Sequence, residues 1–187
     1  MSADPNSTSS PDRGAGSLRV AVVVSRYNAT ITRPLLEGAR QAWAERGGDP
    51  ADLTVIGVPG AYELTAGAAI VARTERIDGV CALGCIIKGD TDHDVHIAQA
   101  VANGLNDVTL QTGVPCAFGV LTTNTPEQAR DRVGGAKGNK GFEAMQALID
   151  MARLHRHALS NNDWPWNLRS DPFAPSAPDK AAAEDGA

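Results

Sequence analysis

The sequence predicts a three-layer α/β fold built on a four-stranded parallel sheet. Three observations carry this expectation. Four short apolar runs rich in β-branched residues recur along the chain; a segment with helically spaced apolar residues follows each; polar, glycine-containing loops join them. Strands alternating with helices call for right-handed crossovers, which cover a parallel sheet on both faces.

Leu18 to Val24 (LRVAVVV) is a continuous β-branched run, the pattern of a strand buried on both faces. Residues 31–46 then read as a helix, with Ile31, Leu35, Leu36, Ala39 and Trp43 on one stripe. Leu53 to Val58 (LTVIGV) is a second strand, and residues 62–75 an alanine-rich helix. Val80 to Ile87 (VCALGCII) is the third strand. The helix expected from His93 to Gln111 sets Ile97, Val101, Leu105 and Val108 at spacings of four, four and three. Pro115 to Leu121 (PCAFGVL) is the fourth strand. A short helix over 125–133 opens with Thr125-Pro126-Glu127, proline taking the first helical position. A glycine-rich loop precedes a last helix from Asn139 to His157, whose inner face is Phe142, Met145, Leu148, Ile149 and Ala152. No G-x-G-x-x-G follows the first strand, so the fold is expected to be flavodoxin-like rather than dinucleotide-binding.

At 187 residues the chain is long enough for one domain with a real core. The domain is expected over 18–158. Residues 1–17, rich in Ser, Pro, Gly and Asp, read as a disordered arm. Residues 159–187 read as a Pro/Ala-rich extension, although Trp164, Trp166 and Phe173 give it docking residues. The net charge of −5 argues against nucleic acid, which calls for a basic face. No apolar stretch approaches the ~20 residues of a membrane span. The N-terminus lacks a signal peptide's apolar region, so a cytoplasmic location is expected. Three cysteines without C-x-x-C spacing fit reduced, buried thiols; Cys81 and Cys85, four apart in a strand, share one face.

In open α/β sheets ligands bind at the carboxyl ends of the strands. Four loops qualify: Ser25 to Asn28, Pro59 to Glu63, Lys88 to His93, and Thr122 to Asn124. In the third, Gly89 allows a sharp turn, and Asp90 and Thr91 precede a helix start that favours an anion. The competing reading is a helix cap by Thr91 or Asp92. His93 is an acid/base candidate, because imidazole ordinarily titrates near ~6.5; a surface histidine is the alternative. His96 shares nearly the same helix face, but no third ligand stands at metal spacing, so no metal is expected. Tyr27 can stack on a flat heterocycle or plug the sheet edge. Glu63 suits a helix start and can accept from hydroxyls. Arg132 and Lys140 bring positive charge within a glycine-rich stretch. Together these residues indicate a small-molecule site with an anion pocket and a histidine.

At these loops the chain resembles the 6,7-dimethyl-8-ribityllumazine synthase family of riboflavin biosynthesis. The matching segments are SRYNATITRPLLEGA (25–39), VPGAYEL (58–64), GCIIKGDTDH (84–93), NGLNDVTLQTGVPCAFGVLTTNTPEQA (103–129) and GNKGFEA (138–144). The resemblance implies condensation of 5-amino-6-(D-ribitylamino)uracil with 3,4-dihydroxy-2-butanone 4-phosphate, releasing phosphate and water, with no metal or redox cofactor. By position it implies that Tyr27 stacks on the pyrimidine, that Ala61 and Glu63 meet the ribityl chain, and that Ile86 and Ile87 line the ring pocket. Asp90 and Thr91 correspond to phosphate donors, Arg132 to the phosphate's cation, and His93 to the acid/base. Phe118 corresponds to a residue reaching in from a neighbouring subunit, and Lys140 to a lysine near the ring. Family members are pentamers with sites between subunits, some closing into shells of sixty. The sheet is accordingly open to an added N-terminal edge strand from a neighbour.

Two positions depart from the family pattern. The family histidine is followed by an aromatic residue and then an acid; here Asp94 comes first and Val95 second, which moves the acid about 100° around the helix. A lysine usual at Ala136 stands instead at Lys137. The first departure motivates a second reading, a catalytically weak flavin- or lumazine-binding or shell-forming paralogue. A flavodoxin-like electron carrier is disfavoured, since no phosphate-binding loop follows the first strand.

Overall fold

The computed structural model describes residues 18–74 and 76–160. The four apolar runs form strands β1 (Val20–Ser25), β2 (Leu53–Val58), β3 (Gly79–Ile87) and β4 (Cys116–Thr123). All pair in parallel, in the order β2-β1-β3-β4. Helices α1 (Ala29–Glu45), α2 (Leu64–Thr74), α3 (His93–Thr112), α4 (Pro126–Arg130) and α5 (Lys140–Ser160) make the crossovers and outer layers. The expected flavodoxin-like, three-layer class is the observed one.

Alternation along the strands explains the two layers. Val20, Val22, Cys81, Leu83 and Cys85 face α1 and α5, where Ile31, Leu35, Ala39, Trp43, Met145, Leu148 and Ile149 close one core. Ala21, Val23, Val80, Ala82 and Ile86 face α2 and α3, where Leu64, Ala68, Val71, Val101 and Leu105 close the other. Cys81 and Cys85 share a face, as their spacing predicts. Burying each large aliphatic side chain contributes about 1.5–3 kcal/mol, so both layers are held mainly by these contacts. β2 differs because it is the sheet edge: Thr54, Val55 and Gly57 are exposed although the run is apolar.

Local chemistry sets the helix ends. Thr125 accepts from the Gln128 amide and Pro126 follows it, starting α4; Gly113 in the left-handed region ends α3. Asn139 precedes α5, its Oδ1 accepting from the amides of Gly141 (2.9 Å) and Phe142 (3.3 Å). Its Nδ2 donates to the Pro34 carbonyl of α1 (2.9 Å), so one amide ties two helices. The helices approach so closely there that a Cβ on Gly141 would overlap the Leu35 backbone. At the other end of α5, Arg156 forks onto Asp78 (2.7 and 3.1 Å), which also accepts from the Arg19 amide (2.7 Å).

Several boundaries differ from expectation. The glycine-rich loop contains a small antiparallel pair, β5 (Val133–Gly135) with β6 (Gly138–Asn139), because backbone pairing needs no apolar side chain. α4 is shorter than expected, β4 continues through Thr123, and α5 continues to Ser160. The first 17 residues, and the tryptophans and prolines expected in the C-terminal extension, lie outside the described residues.

All three cysteines are free. Burial pushes the Cys81 thiol up to about 12 and Cys85 to about 11. Cys116 is also raised by burial, against a hydrogen bond with Thr109 that lowers it. The unfolded chain therefore releases protons that the folded chain keeps. Stability from Cys81 is intact below the ordinary thiol value of 9.0 and is lost as pH rises from there through about 12. Denaturation midpoints compared between about pH 8 and 11 are expected to fall less steeply in Cys81→Ala than in the parent chain; equal slopes contradict this.

Candidate active site

The carboxyl ends of β1, β2 and β3 converge on a cleft of about 500 Å³. That volume suits a small molecule. Its walls include Tyr27, Asn28, Gly60, Ala61, Tyr62, Glu63, Ile86, Ile87, Gly89 and His93. Backbone bonds stitch the first two loops together: the Arg26 amide donates to Val58 O (2.8 Å) and the Tyr27 amide to Pro59 O (3.1 Å). Tyr27 is 70% exposed, so it does not plug the sheet edge and its ring is open to a ligand. Glu63 folds back over Gly60, where a Cβ would stand 3.0 Å from Oε2. Ile86 is buried and Ile87 half-buried at the end of β3.

Asn28 joins this cleft although sequence reasoning gave it no role. Among the described residues it alone, apart from glycines, has a positive φ (56°). β3 pairs with β1 only as far as Leu83, leaving later groups on that side without a strand partner. Asn28 Nδ2 donates to Cys85 O (3.0 Å), supplying the missing bond. Asparagine tolerates the left-handed conformation better than most residues, which is the signal a reader of the sequence has. Tyr62 also reaches the cleft, and its place beside Ala61 and Glu63 in the second loop was the available clue.

In the third loop neither residue expected to cap α3 makes a capping bond. Asp92 is the N-cap residue of α3, yet its side chain makes no capping bond. Its carboxylate instead lies 4.0 Å from Lys88 Nζ. Thr91 does not cap either; its Oγ1 lies 2.8 Å from His93 Nδ1. The first-turn amides thus keep no side-chain partner from these two residues, as an anion site at a helix start requires. In the displaced acid, Asp94 Oδ1 is buried and has no hydrogen-bond partner among the described residues. Asp90, Thr91, His93 and His96 are exposed. Among the described residues no group of three or more His, Cys, Asp or Glu could hold a metal ion.

The remaining predicted residues gather elsewhere. Phe118, Arg132 and Lys140 line a second cleft of about 450 Å³, with Thr122 and Glu143. The hairpin of β5 and β6 brings its cations together, the Lys140 amide donating to Arg132 O (2.9 Å). Arg132 Nη1 donates to Gln128 O (2.8 Å), which aims the guanidinium. Lys140 Nζ donates to both Glu143 oxygens (2.8 and 2.7 Å). Phe118 is 46% exposed on the edge strand β4. Within one chain, then, the structure joins Tyr27, Ala61, Glu63, Ile86, Ile87 and His93, and leaves Phe118, Arg132 and Lys140 apart. Among the described residues no lysine or arginine lines the first cleft.

Asn28 offers a direct stability test. Asn28→Ala strands the Cys85 carbonyl and keeps the left-handed strain, costing about 1–3 kcal/mol. Asn28→Gly loses the same bond but relieves the strain, so its loss is smaller. Denaturation midpoints at one protein concentration check the order; a glycine variant less stable than the alanine variant contradicts it.

A family model described as 6,7-dimethyl-8-ribityllumazine synthase matches residues 17–156. A protein of that name from Thermus thermophilus is 48% identical over 147 residues, covering 79% of this chain and 94% of its own. One from Deinococcus radiodurans is 48% identical over 140 residues, covering 75% and 90%. One from Campylobacter hominis is 42% identical over 142 residues, covering 76% and 91%. The chain belongs to the 6,7-dimethyl-8-ribityllumazine synthase family.

Proposed function

We propose that this chain catalyses the condensation named by its family at a site made from both clefts, one from each of two copies. The reaction joins 5-amino-6-(D-ribitylamino)uracil to 3,4-dihydroxy-2-butanone 4-phosphate, and makes the chain a transferase of riboflavin biosynthesis. The observation that carries the two-copy reading is the separation of charge. His93 stands in a cleft that no described lysine or arginine lines, with Lys88 at the start of α3 drawn toward Asp92, while Arg132 and Lys140 stand in another cleft. A phosphate ester bound in the first cleft needs positive charge to offset its own. A neighbouring copy presenting its second cleft supplies it.

The roles follow from chemistry at each position. Tyr27 stacks on the pyrimidine, with Ile86 and Ile87 as the apolar floor. Ala61 leaves room for the ribityl chain and Glu63 accepts from its hydroxyls. The amides around Asp90 and Thr91, with the Thr91 hydroxyl, donate to phosphate, and Arg132 of the neighbour pairs with it. Phe118 of the neighbour covers the ring, and Lys140 lies near it. Bound together, the amine and the ketone meet at high effective concentration, and His93 moves protons during imine formation, phosphate elimination and ring closure.

A heterologous contact of this kind generates a ring where its rotation closes, and the homo-oligomer that the resemblance implies, a pentamer or a sixty-subunit shell, is the proposed assembly. The open edge of β2, with Val55 exposed, is where a neighbour's N-terminal strand would add. Three free thiols are in keeping with a cytoplasmic location. Among the described residues no helix is long and apolar enough to cross a membrane.

Mixing both substrates with the protein is expected to raise lumazine absorbance within a single turnover; none would overturn the activity. His93→Ala is expected to lower kcat by about 100-fold or more while ribitylaminouracil affinity holds. Equal loss of both would make the histidine structural. Arg132→Ala is expected to raise KM for the phosphate ester about 10- to 100-fold, the worth of a charge-assisted bond.

A further inference from the structure

Thr91 Oγ1 lies 2.8 Å from Nδ1 of His93, two residues on. The imidazole is held from a second side as well: its Cε1 edge packs over Gly89, where a Cβ would stand 2.9 Å away. Nε2 is therefore the ring nitrogen left to the cleft that His93 lines. Asp94, which follows His93 directly, takes no ring hydrogen at its buried Oδ1, which has no partner among the described residues. The other charged groups close by are Asp90, His96, the Lys88 and Asp92 pair, and Glu63 across the cleft.

A hydroxyl has one proton to give and lone pairs with which to accept. With no anion bound, Thr91 is free to donate to Nδ1, which puts the imidazole proton on Nε2. An anion at the start of α3 takes the hydroxyl proton for its own hydrogen bond. Oγ1 can then only accept, so Nδ1 carries the hydrogen and Nε2 becomes a free base facing the cleft. The phosphate that fills the site thereby sets the tautomer of the histidine beside it.

We propose that the Thr91 hydroxyl is a proton bridge between His93 and the departing phosphate, an inference that rests on the anion site assigned above. In the elimination step Nε2 takes a proton from substrate carbon, and the C–H electron pair forms the new C=C bond. The C–O bond to phosphate breaks, and its electron pair leaves with the oxygen. Nδ1 passes its proton to Oγ1 while the original hydroxyl proton moves to the phosphate oxygen. The phosphate leaves as the singly protonated dianion, imidazole and hydroxyl end neutral, and charge is balanced throughout. The imidazole finishes with its proton on Nε2, ready to act as the acid in the later dehydration.

The test combines kinetics with 15N magic-angle spectra of histidine-labelled assembled protein. The His93 ring signals are assigned by comparison with His93→Gln, and inorganic phosphate is the anion probe. At about pH 8, above the ordinary imidazole range, phosphate is expected to move the His93 proton to Nδ1 in the parent chain and in Thr91→Ser, but not in Thr91→Val. In Thr91→Val kcat is expected to fall about tenfold or more, with Thr91→Ser recovering most of it. Ring nitrogens unmoved by phosphate, or a Thr91→Val change confined to KM, overturn the bridge while the activity stands. A parent chain that forms no lumazine overturns the function itself and the bridge with it.

Discussion

Burial of β3 on both faces is the constraint on which the rest of the molecule depends. Every residue from Gly79 to Ile86 is buried, and only Ile87 is partly open. A strand apolar on both sides needs a helical layer on each, which is why α1 and α5 lie on one face and α2 and α3 on the other. Because both faces are apolar, polarity alone would permit the strand to slip. Shape forbids it: at Gly84 a Cβ would stand 2.9 Å from Leu64 Cδ1, so neither Leu83 nor Cys85 can occupy that position.

The chemistry collects where that strand ends. β3 runs past β1, and Asn28 bonds the carbonyl thus exposed at Cys85, which sets Tyr27 beside the loop of Ala61 and Glu63. Beyond Ile87 the chain turns at Gly89 and begins α3 without a side-chain cap. The same sheet carries β4 at its opposite edge, where Phe118 is exposed and the β5–β6 hairpin collects Arg132 and Lys140. One chain thus holds His93 in one cleft and Arg132 and Lys140 in another. In the proposed two-copy site, assembly reunites them and ties activity to oligomer formation.

The layers and strand ends were legible because periodicity reports burial directly. Ile31, Leu35, Ala39 and Trp43 are buried where the stripe put them, as are Val101, Leu105 and Val108. Edge and centre were not legible. LTVIGV in β2 is as apolar as a central strand, and only pairing order shows that Val55 faces outward. The hairpin is not legible because Val133–Gly135 and Gly138–Asn139 are too short and glycine-rich to alternate. The resemblance supplied Arg132, Lys140 and Phe118 with their roles, but one-dimensional spacing says nothing of which cleft a side chain enters. Asn28 is not legible because its role is a long-range bond to Cys85, invisible along the chain.

Assembly of mixed oligomers tests the two-copy site most directly. His93→Ala lacks a functional first cleft and Arg132→Ala a functional second one. The two chains are unfolded together, reassembled, and assayed at a phosphate-ester concentration where neither alone turns over. Random neighbours should restore about a quarter of the sites, each joining the intact first cleft of one chain to the intact second cleft of another. Activity no greater than that of the separate variants would contradict the account and place the whole site within a single chain.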